Sequence, residues 1–119
     1  MASPIKRVSV ASNGTEGNNH SEYSPAVSAD GRYIAFLSYA SNLVSGDSNG
    51  YADIFVRDTR TGTTTRVSVA SGGGQGNGNA MEAPALSADG RYVAFMSDAS
   101  NLVNDDTNNA KDIFVHDTA

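Results

Sequence analysis

The stretch S-P-A-V-S-A-D-G-R-Y-I-A-F-L-S at residues 24–38 is written again at residues 83–97 as A-P-A-L-S-A-D-G-R-Y-V-A-F-M-S. In each copy two short apolar segments flank an Asp-Gly pair, Asp30-Gly31 or Asp89-Gly90. Glycine reaches positive φ without strain, so each copy predicts a hairpin of two strands joined by a tight turn. The first strands are expected over 24–28 and 83–87, the second over 32–38 and 91–97. Ile34 and Phe36 fall on one face of the second strand and Ala35 and Leu37 on the other. A strand that is apolar on both faces is expected to lie between two other layers.

The repetition runs well beyond the hairpin. Residues 7–60 and 66–119 align at an offset of 59 without a gap, and 33 of the 54 positions are identical. A third strand is predicted at 53–58 (D-I-F-V-R-D) and again at 112–117 (D-I-F-V-H-D). After a turn at 61–65 (T-G-T-T-T) a fourth is predicted at 66–69 (R-V-S-V), with its counterpart at 7–10. The chain therefore reads as eight strands: one of the fourth kind, a full set of four, then three. Repeated units of this length cannot bury their apolar faces singly and stack on neighbours instead, and two units are too few to complete such a stack.

Composition narrows the classes. The chain has 119 residues, 39% of them hydrophobic, and is rich in Gly, Asn, Ser and Thr, which suits short strands and polar turns rather than helices. No segment approaches the ~20 apolar residues of a membrane-spanning helix, and the first ten residues lack the apolar run of a secretory signal. The expectation is a soluble chain with no address. There is no cysteine, hence no disulfide framework and no thiolate metal site. A net charge of −5 with scattered basic residues argues against nucleic acid or an anionic membrane as partner.

The segment P-A-V-S-A-D-G-R-Y-I-A-F (25–36), followed by D-I-F-V-R-D and T-R-V-S-V (65–69), resembles the TolB-type repeat. That repeat has a proline, a Ser-x-Asp-Gly turn, an Ile-Ala-Phe strand and an Asp-Ile-Tyr-Val-like strand; the aromatic usual before the Ser is replaced here by Val27 and Leu86. The resemblance implies an all-β propeller segment over residues 1–119, with two four-stranded antiparallel blades per chain, at about 7–60 and 66–119. Propellers close at roughly four to eight blades, so homo-oligomerisation is expected to complete the ring. Arg7, Val8, Ser9 and Val10 are expected to close the blade that contains Asp112, Ile113, Phe114 and Val115 of another protomer. Such head-to-tail contacts form a ring when their rotation closes. TolB-type propellers are commonly six-bladed, which favours a homotrimer, with a homotetramer second.

Two long connections per copy, 39–52 and 11–23 with counterparts 98–111 and 70–82, are expected on one face of the ring. A protein or small-molecule ligand is expected there, if anywhere. Leu43, Val44, Leu102 and Val103 read as apolar anchors of these loops. Asp47, Ser48, Asn49, Gly50 and Asp53, with Asp106, Thr107, Asn108 and Asp112, offer oxygen ligands at a D-x-N-x-x-x-D spacing suited to a hard cation such as calcium. The spacing falls short of a twelve-residue calcium loop and lacks its terminal Glu, so no metal and no cofactor is assigned. Asp47 and Asn49 read equally as turn formers, and Asp53 as a tie to a neighbouring strand. His20 aligns with Asn79 and His116 with Arg57, and neither is linked to a nucleophile and a carboxylate. Arg32 and Arg91 are expected to pair with nearby carboxylates. The reading is a non-enzymatic scaffold or interaction module that self-assembles, or a segment of a larger or engineered propeller. The alternative is a carbohydrate- or calcium-binding lectin-like propeller. Against it, Tyr23, Tyr39 and Tyr51 become Glu82, Asp98 and Ala110 in the second copy.

Overall fold

A computed structural model of the chain describes residues 5–44, 51–70, 74–103 and 110–118. These residues form strands and turns and contain no helix. The strands are β1 (Ser21–Val27), β2 (Tyr33–Ser38), β3 (Asp53–Asp58), β4 (Thr63–Arg66), β5 (Ala80–Leu86), β6 (Tyr92–Ser97) and β7 (Asp112–Asp117). They make two antiparallel sheets in chain order, β1-β2-β3-β4 and β5-β6-β7. The offset of 59 holds in three dimensions, because the bounds of β5, β6 and β7 are those of β1, β2 and β3 moved by that number.

Three boundaries differ from the sequence expectation. The first strands begin earlier, at Ser21 and Ala80, because a bulge between Glu22 and Ala26, and between Met81 and Ala85, lets pairing continue past an irregularity. In each bulge a residue other than glycine takes positive φ, Tyr23 at 65° and Glu82 at 57°. The fourth strand is Thr63–Arg66 rather than 66–69. Gly62, at φ 73°, closes the turn early, donating its N–H to the Asp58 carbonyl at 2.8 Å. The β-branched Thr63–Thr65 then fit the pleat, where the sequence reading placed a turn. Val67 still pairs, through its N–H to the Ile54 carbonyl at 2.8 Å. Finally, Arg7–Val10 is not a strand within the chain; Val10 makes a single bridge to Glu16. The described residues thus hold seven strands where eight were expected.

The Ser-Ala-Asp-Gly-Arg-Tyr unit builds each hairpin the same way. Asp30 accepts the Ser28 hydroxyl at 2.8 Å and the Arg32 N–H at 3.0 Å, while the Ser28 Oγ accepts the Tyr33 N–H at 3.0 Å. Ser87, Asp89, Arg91 and Tyr92 repeat these bonds. Arg32 then grips Asp58 with two bonds of 2.9 Å, as Arg91 grips Asp117 at 2.8 and 3.0 Å. The expected arginine–carboxylate pairs are therefore the ties between the hairpin turn and the end of the third strand.

The Arg32 guanidinium, helped by the Arg60 and Thr61 N–H groups, holds the Asp58 carboxyl well below the usual carboxylate range. A carboxylate whose folded value lies below its unfolded one stabilises the fold above about pH 4 and loses that contribution as pH falls toward its folded value. Asp58→Asn is therefore expected to lower the urea midpoint at neutral pH and to flatten its decline below about pH 4 relative to the parent chain.

Between the sheets lies the main core. The first sheet contributes Ala35, Leu37, Ile54, Val56 and Val67, and the second Val93, Phe95 and Leu102, all buried. A second cluster, Phe36, Ala40, Leu43 and Phe55, covers the reverse side of the first sheet. Residues 35–38 of β2 are all buried, as its two apolar faces required. At the turn end the Tyr33 ring lies over Gly90, where any β-carbon would overlap it; Gly31, the matching glycine of the first repeat, has open space instead. Ala29 also donates its N–H to the Ala88 carbonyl at 2.9 Å across this joint.

Candidate assembly surface

The third strands carry the same core tetrapeptide in opposite surroundings. In β3, Asp53, Ile54, Phe55 and Val56 are buried, with Ile54 at 0% and Val56 at 7% exposure. In β7, Asp112 and Phe114 are half-buried while Ile113 and Val115 are 69% and 65% exposed. Sequence is constant, so neighbours make the difference. β3 has β4 on one side and a second sheet across its face, whereas β7 is the edge of its sheet. At ~1.5–3 kcal/mol per fully buried side chain, Ile113 and Val115, each about two-thirds exposed, leave on the order of 2–4 kcal/mol of burial unused. An edge strand with an apolar face is also a template for another strand.

The chain beside β3 engages it atom by atom. Ser68 donates its hydroxyl to Asp53 Oδ1 at 2.8 Å and accepts the Ile54 N–H at 3.0 Å. Arg66 approaches Asp53 Oδ2 at 3.8 Å and donates to Gln75 Oε1 at 3.1 Å. So Asp53 does tie its loop to a neighbouring strand, and its Oδ1 is engaged there. Arg57 donates to the Ala11 and Gly62 carbonyls and to Thr64 Oγ1 at 3.0 Å, and Thr64 Oγ1 donates to the Val10 carbonyl. Beside β7 the corresponding space is an open pocket of about 250 Å³ lined by Val67, Val69, Phe95, Leu102, Phe114 and His116, among others.

Of the N-terminal residues expected to act in closure, Arg7 is exposed and forms an ion pair with Glu16, Val8 and Ser9 are half-buried, and Val10 is buried. The turn that follows them matches the turn that follows 66–69. Gly17 donates to the Ser9 carbonyl, Ala11 to the Thr15 carbonyl at 2.8 Å, and Val10 bridges Glu16; Ala70 to Gly74 at 2.8 Å and Val69 to Gln75 are the matching contacts of the second repeat. The turn after residue 10 therefore holds Val10 and Ala11 as the turn after residue 69 holds Val69 and Ala70.

The loop face is held by a clamp that the sequence reading missed. Asn18 donates its N–H to Asn42 Oδ1 and its amide to Ser41 Oγ, both at 2.9 Å, and accepts the Ser41 N–H at 2.8 Å, while Asn42 donates to the Glu16 carbonyl at 2.9 Å. Asn77, Ser100, Asn101 and the Gln75 carbonyl repeat every bond. The signal was the recurrence of Asn18, Ser41 and Asn42 at the common offset. Beneath the clamp, Leu43 and Leu102 are buried and act as the expected anchors, whereas Val103 is 46% exposed. Asp47, Ser48, Asn49, Gly50, Asp106, Thr107 and Asn108 lie outside the described residues. Among the described residues no group of three or more His, Asp or Glu could hold a metal ion.

Compared with known proteins, the chain is matched by no family model and by no curated protein.

Proposed function

We propose that this chain is a self-assembling, non-enzymatic β-propeller scaffold, its two sheets being two blades of a ring completed by further copies of itself. The observation that carries the reading is the contrast between β3 and β7: one tetrapeptide, buried where a fourth strand and a second sheet are present and exposed where they are not. The joint between the two sheets supplies the pattern for the joint between copies. One face of the first sheet packs on the opposite face of the second, so the free face bearing Ile113 and Val115 matches the side of another copy's first sheet that bears Phe36 and Phe55. Such a contact is head to tail and forms a ring when its rotation closes. A homotrimer of six blades is favoured and a homotetramer of eight is second. The clamped loop face is the surface offered to a protein or small-molecule ligand.

Light scattering coupled to size exclusion, at several concentrations, tests this. A single species at three or four times 12.3 kDa is expected. A stable monomer throughout would overturn the reading.

A further inference from the structure

We propose that residues 5–9 of one copy add as a strand to the edge of β7 in the next, with Ile5 seated in the apolar pocket beside His116. This rests on the ring reading above and goes beyond it by fixing the register and the side chain that sets it.

The register comes from the first sheet. There Phe55 faces Arg66, Val56 faces Thr65 and Arg57 faces Thr64. Moved by 59 positions, Phe114 faces Arg7 of the second copy, Val115 faces Lys6 and His116 faces Ile5. The expected set Arg7–Val10 is thereby extended toward the N-terminus: residues 5–7 make the ladder, Val8 continues it as Val67 does, and Ser9 takes the place of Ser68. Its hydroxyl would donate to Asp112 of the next copy and accept the Ile113 N–H, as Ser68 does with Asp53 and Ile54. Arg7 would lie between its own Glu16 and that Asp112, as Arg66 lies between Gln75 and Asp53.

Two paired differences between the repeats point to Ile5 in particular. Where the first sheet sets polar Thr64 against Arg57, bonded to each other and to the Val10 and Ala11 carbonyls, the matching positions are Ile5 and His116. Both sides change together, and the site changes with them. The space beside His116 is walled by Val67, Val69, Leu102 and Phe114, which suits an isoleucine and gives no fork of donors to a threonine. Ile5 itself is 83% exposed in the single chain, the largest exposure among the large hydrophobic residues described. The base of the donor arm is already ordered, because the Val10–Glu16 bridge and the Ala11 to Thr15 bond match the Val69–Gln75 bridge and the Ala70 to Gly74 bond of the second repeat. That ordered base lowers the entropy cost of strand addition.

The chain has no cysteine, so a single engineered pair reports cleanly. Val67 bonding to Ile54 makes the Arg57/Thr64 position a non-hydrogen-bonded one, where facing Cα atoms lie ~4.5 Å apart and a disulfide fits. Ile5→Cys combined with His116→Cys is expected to link essentially every chain to two others, giving a reducible covalent species of the ring's own mass on a denaturing gel. A ring by light scattering whose chains stay unlinked, or link instead in the slipped pair Arg7→Cys with His116→Cys, would overturn the register while leaving the ring. A disulfide within single chains would overturn exchange between copies. A monomer by scattering would overturn the ring reading itself. Independently, Ile5→Ser is expected to raise the concentration at which the ring dissociates by about tenfold or more, and Ile5→Val to leave it near the parent value; equal behaviour of the two would overturn the seating of Ile5.

Discussion

Ile113→Asp is expected to leave the chain folded and to hold it at 12.3 kDa at concentrations where the proposed ring would give the parent chain three or four times that mass. Ile113 is 69% exposed in the single chain, so a carboxylate there stays in water, and exposed substitutions usually change stability by no more than about 0.5 kcal/mol. In a ring the same position would correspond to Ile54, which is 0% exposed at the core of the joint between the sheets. A charge enclosed there without a partner costs several kcal/mol at each joint. Ile54→Asp is the matched control, and it should prevent folding altogether. Light scattering and far-ultraviolet circular dichroism on the two variants check both halves. A ring that survives Ile113→Asp would remove β7 from the assembly surface.

The second large effect falls on Asp53. Its carboxylate, 1% exposed, receives the Ser68 hydroxyl and faces the Arg66 guanidinium, while the same Ser68 oxygen receives the Ile54 N–H. Asp53→Ala deletes the group that this network shares, and breaking one side of a buried ion pair costs about 3–5 kcal/mol. Against a typical net stability of ~5–15 kcal/mol, that is enough to unfold a substantial fraction of the chains. Asp53→Asn keeps an acceptor for Ser68 and is expected to cost less. Asp112→Ala, placed in the monomeric Ile113→Asp background, is expected to cost under about 1 kcal/mol, because the half-buried β7 has no fourth strand there. Urea unfolding of the three variants gives the order directly, and equal losses at 53 and 112 would show that the network is not what distinguishes the two strands.

The sequence made the sheets legible because its strongest signals are local. Asp-Gly turns, apolar faces on both sides of 34–37 and the D-I-F-V strand each act within a few residues, and the gapless repetition showed each of them twice. The misplaced fourth strand has a physical cause of the same kind. Thr63–Thr65 look like turn residues in composition, but β-branching suits them to a pleat once Gly62 has closed the turn. The asparagine clamp was harder to read, since Asn18 and Asn42 are 24 residues apart and only the fold brings them together. The differing fates of Ile54 and Ile113 could not be read from their residues at all. Identical sequence carries identical local preference, and what separates the two is the layer each meets.

The bulges of β1 and β5 hold one backbone shape around unrelated side chains. Tyr23 and Glu82 share neither size, charge nor aromaticity, yet both sit at nearly the same positive φ, a conformation that costs an ordinary residue about 1 kcal/mol or more. The surrounding ladder, which resumes at Ala26 and Ala85, imposes that shape whatever residue occupies the position. Each repeat therefore carries a rigid, solvent-facing mounting point whose occupant can be exchanged while the frame stays fixed, and a ring of such repeats would be a platform on which new chemistry can be varied one side chain at a time.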